Sequence, residues 1–388
     1  MTLVGVLGGQ RGASVDERGT VRPERVTWEL GWWIGADDRW HLPRREIAVR
    51  QSLLDGMPVV STAMRVPGGD AVHRVYAATP AVVVVDIQNS SPSPFVATLV
   101  LSGAAYLSVD GATVFADGRP AIVGARAPAR WAVTTDRTTE QVVTSGDARA
   151  DEFTPRHDRG ARLEAAFLYP VAHATQLRML VPLTPSGLDG VPGAVPDPEQ
   201  VARGWRAQLQ RGMGVQLPDP ALQAAVDTAR AQLLLAGQAW LPDPGVVAVL
   251  EAWGFDDEAR TARHRLGVFA RRKAARRPAG RASWDEVRAR AGDGGAGFLA
   301  ALASALVSAP GEAIELLVDW PAEWRGQALD VRDASTRLGP ASYSLRWHEE
   351  RVALLWDVPA GVVVRIPAFD PGWSSSEPRG EVLLTPIA

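Results

Sequence analysis

The sequence predicts an α+β multidomain chain: an N-terminal antiparallel β-sandwich, an α-helical hairpin region and a C-terminal antiparallel β module. Three observations carry that prediction. Short alternating or Val/Ile-rich runs, broken by turn residues, extend from Gly19 to about Val181. Between Pro182 and Pro198 lie five prolines and three glycines, too many to continue a hydrogen-bonded ladder. Beyond them, helix start and stop signals replace the strand pattern until Pro310, after which β-type runs return. The expected organisation is therefore a β-sandwich over 1–181, a linker over 182–198, a helical region over 199–310 and a β module over 311–388.

In the first region, Met57 to Val66 and Val72 to Ala77 read as neighbouring strands around the turn Pro67-Gly68-Gly69-Asp70. The continuous apolar run from Ala81 to Ile87 predicts a strand buried on both faces. Asp110-Gly111 and Asp117-Gly118 each supply residues that tolerate positive φ, which tight hairpins require. They imply two successive hairpins, and Leu163 to Tyr169 with Gln176 to Val181 reads as a further strand pair.

The helices are announced by their ends. A short one is expected over Asp197 to Gln210. Asp219 can accept hydrogen bonds from the first free amides of the next, and Pro220 occupies a position where a missing N–H costs nothing. Leu222, Val226, Ala229, Leu233 and Ala236 then form one apolar face. Asp243-Pro244 repeats the start device for a helix ended by Gly254. Asp256, Asp257 and Glu258 crowd the head of the following helix, with Arg271, Arg272 and Lys273 towards its tail, as the macrodipole favours. Ser283 and Glu286 fit a capping box, and Ala296 to Ser308 is apolar nearly all round. Strands are expected again at Ile314 to Val318, Ser342 to Trp347, Val352 to Val358, Val362 to Ile366 and Glu381 to Leu384.

Composition narrows the function classes. Forty-one Lys+Arg against 44 Asp+Glu leave a net charge of −3, so the whole chain is not a polycation built for nucleic acid. The absence of cysteine removes disulfides, thiolate metal sites and a cysteine nucleophile, and with no signal-like start a cytoplasmic location is expected. No apolar run approaches the ~18 residues of a membrane span, so no membrane partner is expected. The six histidines show no metal-ligand spacing, Gly8 to Gly12 lacks the Gly-Lys-Ser/Thr ending of a phosphate loop, and no serine sits in a nucleophile elbow. Neither a metal nor another cofactor is predicted.

Three patches carry a family resemblance. They are Gly31-Trp32-Trp33-Ile34-Gly35-Ala36-Asp37-Asp38-Arg39-Trp40-His41, the helix start Leu217-Pro218-Asp219-Pro220-Ala221-Leu222, and a closing module with Asp319-Trp320-Pro321-Ala322-Glu323-Trp324-Arg325-Gly326-Gln327 and Ser342-Tyr343-Ser344-Leu345-Arg346-Trp347-His348. In this order the chain resembles the six-hairpin glycosidase-like proteins of actinobacteria, relatives of glucoamylases and sugar phosphorylases. The resemblance implies sugar hydrolysis or phosphorolysis in a toroid of six helical hairpins with catalytic carboxylates at its centre. Twelve helices of ~11 residues with ~5-residue loops need roughly 190 residues, whereas Asp219 to Pro310 offers 92. The helical region is thus expected to be reduced, and no catalytic residue is carried over. The expected function is non-catalytic carbohydrate binding or scaffolding by a glycosidase-like pseudoenzyme. If the chain is an enzyme, it is expected to be a glycoside hydrolase acting on an α-glucan-type substrate through an abbreviated site.

Trp32, Trp33, Asp37, Asp38, Trp40 and His41 are the candidate carbohydrate-binding residues, because sugar C–H faces stack on indoles while carboxylates and imidazole take hydroxyls. Adjacent Trp32 and Trp33 must point to opposite faces of a strand, so either one is exposed or the strand is covered twice. Trp320, Trp324, Trp347, Trp356 and Trp373 form a second aromatic set in the closing module, with Trp356 expected in the core and Trp373 at the surface. Asp243, Glu251, Asp256, Asp257, Asp285 and Glu286 are the carboxylates a hydrolase could use, although capping or dipole compensation also explains them. Arg260 to Arg290 carries +9 against −12 for the remainder, a candidate polyanion- or protein-binding face without a nucleic-acid-reading motif.

Overall fold

The computed structural model describes the chain except residues 10, 80, 135, 159–161, 185–194, 240–241, 268–280 and 386–388. Its internal contacts divide it into two compact units, Met1–Arg203 and Gly204–Ala388. It is an α+β structure, largely antiparallel. Among the described residues no helix is long and apolar enough to cross a membrane.

The first unit contains two antiparallel sheets on one shared core. The eight-stranded sheet follows the path Thr2–Gly5, Gly12–Val15, Val21–Pro23, Glu29–Gly35, Phe95–Ala104, Leu163–Val171, Arg130–Val133, with Trp40–His41 added beside Glu29–Gly35. The nine-stranded sheet runs Arg156–His157, Tyr106–Asp110, Thr113–Ala116, Arg119–Gly124, Gln176–Pro182, Val82–Asn89, Gly69–Ala78, Val59–Val66, Arg50–Leu53. Val15, Leu30, Trp32, Leu99 and Phe167 from the first sheet share one buried cluster with Val60, Val75, Val83, Val85 and Ile87 from the second. A fully buried aliphatic side chain contributes about 1.5–3 kcal/mol, so a cluster of this size dominates the unit's stability.

The predicted hairpins form. Val66 pairs with Gly69 across Pro67-Gly68, and Asp110 pairs with Thr113 across Gly111-Ala112. At the third turn, Asp117 (φ 52°) and Gly118 (φ 74°) both take the left-handed conformation between paired Ala116 and Arg119. Val82 to Ile87 is buried on both faces, as the continuous apolar run requires. Leu163–Val171 and Gln176–Pro182 form as strands but do not pair with each other: each joins a different sheet, because their apolar faces serve one core from opposite sides. Thr2–Gly5 and Gly12–Val15 lie ahead of the first predicted strand. The first helix, α1 (Thr139–Thr144), begins with a reciprocal capping box in which Gln141 N–H donates to Thr138 Oγ1 at 3.2 Å and Thr138 N–H donates to Gln141 Oε1 at 2.9 Å.

Helix α2 (Pro198–Leu209) crosses the division between the units. Of the predicted linker over 182–198, residues 185–194 lie outside the described residues.

The second unit contains α3 (Pro220–Ala236), α4 (Pro244–Ala252), α5 (Asp256–Arg265), α6 (Trp284–Ala291) and α7 (Ala296–Leu306). The amides of Ala221 and Leu222 donate to Asp219 Oδ1 at 2.8 and 3.1 Å, and that of Gly245 donates to Asp243 Oδ1 at 2.6 Å. Ser283 accepts from Glu286 N–H at 3.3 Å, the forward half of its predicted box. The predicted tail of α5 at Arg271 to Lys273 falls outside the described residues. Helix α7 ends at Leu306, where Val307–Ser308 turns into a strand paired with Ala313–Leu316.

A five-stranded antiparallel sheet follows the order Gly214–Gln216, Leu329–Thr336, Gly339–His348, Arg351–Asp357, Arg379–Leu384. A four-stranded sheet contains Val307–Ser308, Ala313–Leu316, Val363–Ile366 and Asp370–Ser375, with Ala313–Leu316 parallel to Val363–Ile366.

Candidate functional site

Strand Glu29–Gly35 holds the first predicted patch. Trp32 is 2% exposed and Trp33 4%, on opposite faces. Trp32 belongs to the core between the two sheets, stacks on His73 with ring centroids 4.8 Å apart and donates its Nε1–H to the Arg18 carbonyl at 3.0 Å. A Cβ on Gly19 would come within 2.8 Å of that indole nitrogen, so glycine with φ +84° lets the preceding turn close over the ring. Trp33 lies in a smaller cluster with Val100, Ala132, Ala166, Leu168 and Val143 of α1. The strand is covered twice, and neither indole presents a face to a ligand.

The loop that follows is an ionic latch. Its strand partner Trp40 folds over Gly35, where any Cβ would strike the ring. Asp37 and Asp38 are exposed, while His41 is buried. His41 Nε2 lies 2.9 Å from Asp38 Oδ1, and its Nδ1 lies 3.2 Å from Glu46 Oε1 without hydrogen-bond alignment. Arg39 reaches both oxygens of Glu46, at 2.5 and 3.2 Å. Hydrogen bonding from His41 holds the Asp38 carboxyl below its ordinary range, and hydrogen bonding from Arg39 does the same for Glu46. Both imidazole nitrogens thus face carboxylates of the protein itself. Glu46, which no local spacing marks in the sequence, completes the arrangement.

Five of the six carboxylates considered for hydrolysis are engaged elsewhere. Asp243 caps α4, Glu251 pairs with Arg263, Asp257 with Arg260 at 2.9 Å, Asp285 with Arg288 at 3.8 Å and Glu286 with Arg290 at 2.7 Å. Glu251 and Asp256 nevertheless line one open cleft, together with Arg260, Arg263 and His264 of α5. Of the Arg-rich segment 260–290, residues 268–280 lie outside the described residues.

The closing module places its aromatic residues in two groups. Trp356 is buried, donates to the Glu377 carbonyl at 2.9 Å and meets the partly exposed Trp373 edge-on at 5.2 Å. The larger group is a run of five rings. Trp284 meets Trp324 at 4.5 Å, Trp324 meets Trp320 at 5.8 Å, and Trp320 touches both Trp347 at 5.9 Å and Phe369 at 5.4 Å. Trp284 and Trp324 are buried, whereas Trp320 and Trp347 are partly exposed at the end of the run. Trp284 Nε1–H donates to the Asp319 carbonyl at 3.0 Å.

By contrast, the Nε1–H groups of Trp320 and Trp347 are shielded from water and have no hydrogen-bond partner. A buried polar group left unpaired costs about 1–3 kcal/mol, so two in one cluster stand out. Asp319, adjacent to Trp320, has its carboxyl raised above the ordinary range by burial and then by the charge of Asp285. Two partly exposed rings with unused donors therefore meet at one edge of the unit, and Asp319 precedes Trp320 in the chain. Among the described residues no group of three metal-ligating side chains occurs.

No protein-family model matches the chain, and no curated protein is significantly similar to it.

Proposed function

We propose that the chain is a non-catalytic carbohydrate-binding protein of glycosidase-like organisation, and that its sugar-contacting surface is the edge formed by Trp320 and Trp347 beside Asp319. The observation that carries this reading is the pair of partly exposed indole rings, 5.9 Å apart, at the end of the five-ring run. A pyranose supplies C–H faces for the two partly exposed rings, and its hydroxyl oxygens would reach the N–H groups only after a shift of the edge that uncovers them. Asp319 can accept from, or when protonated donate to, a further hydroxyl. The absence of catalysis in this reading is motivated by the capping and ion-pair roles of the candidate carboxylates described above.

Calorimetric titration of the full chain with α-glucan oligosaccharides tests the proposal, with tryptophan fluorescence as a second readout. Binding is expected, and Trp347→Ala should weaken it by about tenfold or more, equivalent to ~1.4 kcal/mol. Trp347→Phe, which keeps a ring but removes the N–H, should lose an intermediate amount. Absence of binding across neutral glycans, or turnover of any glycoside by the unmodified chain, would overturn the reading.

A further inference from the structure

We propose that the cleft between α4 and α5 is a separate binding site for a small hydroxylated anion, a sugar or polyol carrying one carboxylate or phosphate group. The inference does not depend on the aromatic edge. Positions 260, 263 and 264 recur at i, i+3 and i+4 and so share one face of α5, while Ala259 and Ala262 on the other face are buried. Glu251, on the last turn of α4, and Asp256, on the first turn of α5, complete the lining. The cleft encloses about 300 Å³, the lower end of the range for small-molecule sites and room for a single ring.

Charge selects the ligand class. Glu251 is neutralised by Arg263, and Asp256 lies among the partially positive amides of the first turn of α5. Two guanidiniums, Arg260 and Arg263, face two carboxylates, Glu251 and Asp256, so the wall is formally neutral, and Arg260 is the guanidinium whose carboxylate partner, Asp257, stands outside the lining. Its partner Asp257 is 77% exposed and Arg260 itself 67%, and an ion pair so exposed to water is readily exchanged for a ligand oxyanion. The planar guanidinium fork fits a carboxylate or phosphate in bidentate fashion. Glu251 and Asp256 accept from hydroxyl groups and repel a ligand of high negative charge. Among the described residues no tryptophan, tyrosine or phenylalanine lines the cleft and His264 supplies its one ring, so a neutral sugar finds little stacking surface there.

The test is calorimetric titration of the full chain at low ionic strength with glucuronate, glucose 6-phosphate, inorganic phosphate and glucose. Glucuronate or glucose 6-phosphate should bind, with affinity falling as salt is added, and the stronger of the two identifies the preferred oxyanion. Glucose should not bind at this site. Arg260→Gln should weaken anion binding about tenfold with an unchanged melting temperature, since the replaced side chain is exposed. Failure of both anions to bind, an unaltered affinity in Arg260→Gln, or equal displacement of the anion by glucose would overturn the proposal. Inorganic phosphate binding as tightly as glucose 6-phosphate would overturn the requirement for hydroxyls.

Discussion

Two pairs of tryptophans divide the chemistry of this molecule. Trp32 and Trp33 are neighbours in sequence, yet the pleat of one strand sends them into different cores, where both are buried. Trp320 and Trp347 are far apart in sequence, yet their rings meet at 5.9 Å on a partly exposed edge. The pair that looks like a binding motif in the sequence is packing, and the pair assembled by the fold has the unused donors. Sequence adjacency of aromatic residues is therefore weak evidence for a site, because a ligand needs two side chains on one face and a strand separates neighbours.

Replacement experiments sharpen that contrast. Trp32→Ala should cost about 3–5 kcal/mol, the range for removing a large core aromatic, and is measured by the denaturant midpoint. Trp347→Ala should cost less, about 1–2 kcal/mol, because it empties a partly exposed position and removes an unpaired donor. Equal losses for the two variants would break the comparison.

A buried ionic contact in the first unit gives an effect of similar size. Arg178 donates to both oxygens of Asp86 at 2.8 Å, with the Tyr76 hydroxyl 3.4 Å away. Asp86→Ala strands the guanidinium in a largely enclosed setting and should cost about 3 kcal/mol in the same assay.

The stacking partner of Trp32 makes the first unit sensitive to acid. Complete burial lowers the pKa of His73 from 6.5 to about 3. The unfolded chain thus takes up this proton first, so its contribution is fully present above pH 6.5 and is lost progressively as pH falls towards 3. The slope is at most about 1.4 kcal/mol per pH unit. Asp16, Asp38 and Glu46, whose carboxyls are held below their ordinary values of 3.8 to 4.5, add losses of the same sign only at lower pH. Denaturant midpoints between pH 7 and 4 should show the decline, and His73→Gln should flatten it; an unchanged slope in the variant would exclude His73 as its source.

Smaller effects test the helix starts and the surface. Asp219→Ala should destabilise by about 1 kcal/mol through loss of the two amide contacts at the head of α3. Ile47→Ser should change stability by no more than about 0.5 kcal/mol, because Ile47 is 97% exposed.

Much of this architecture was legible because its causes are local. The Asp-Pro starts of α3 and α4 concern atoms within three residues, and the double burial of Val82 to Ile87 follows from an uninterrupted apolar run. The capping box of α1 was equally local, with Thr138 and Gln141 at the standard spacing, and could have been read from it. Glu46 and Asp319 could not, since their roles come from His41, Arg39 and Asp285, which only the folded loops bring to them.

The sequence by itself determined the elements: alternation, caps and turn residues act over a few bonds, and they specify strand, helix and hairpin with little help from elsewhere. Tertiary structure alone decided which faces were sealed. It sent Leu163–Val171 and Gln176–Pro182 to different sheets, covered Trp33 with α1 and left the indole donors of Trp320 and Trp347 unpaired. Burial and pairing depend on surfaces contributed by residues distant along the chain, so a binding edge is a property of the assembled fold rather than of any one segment.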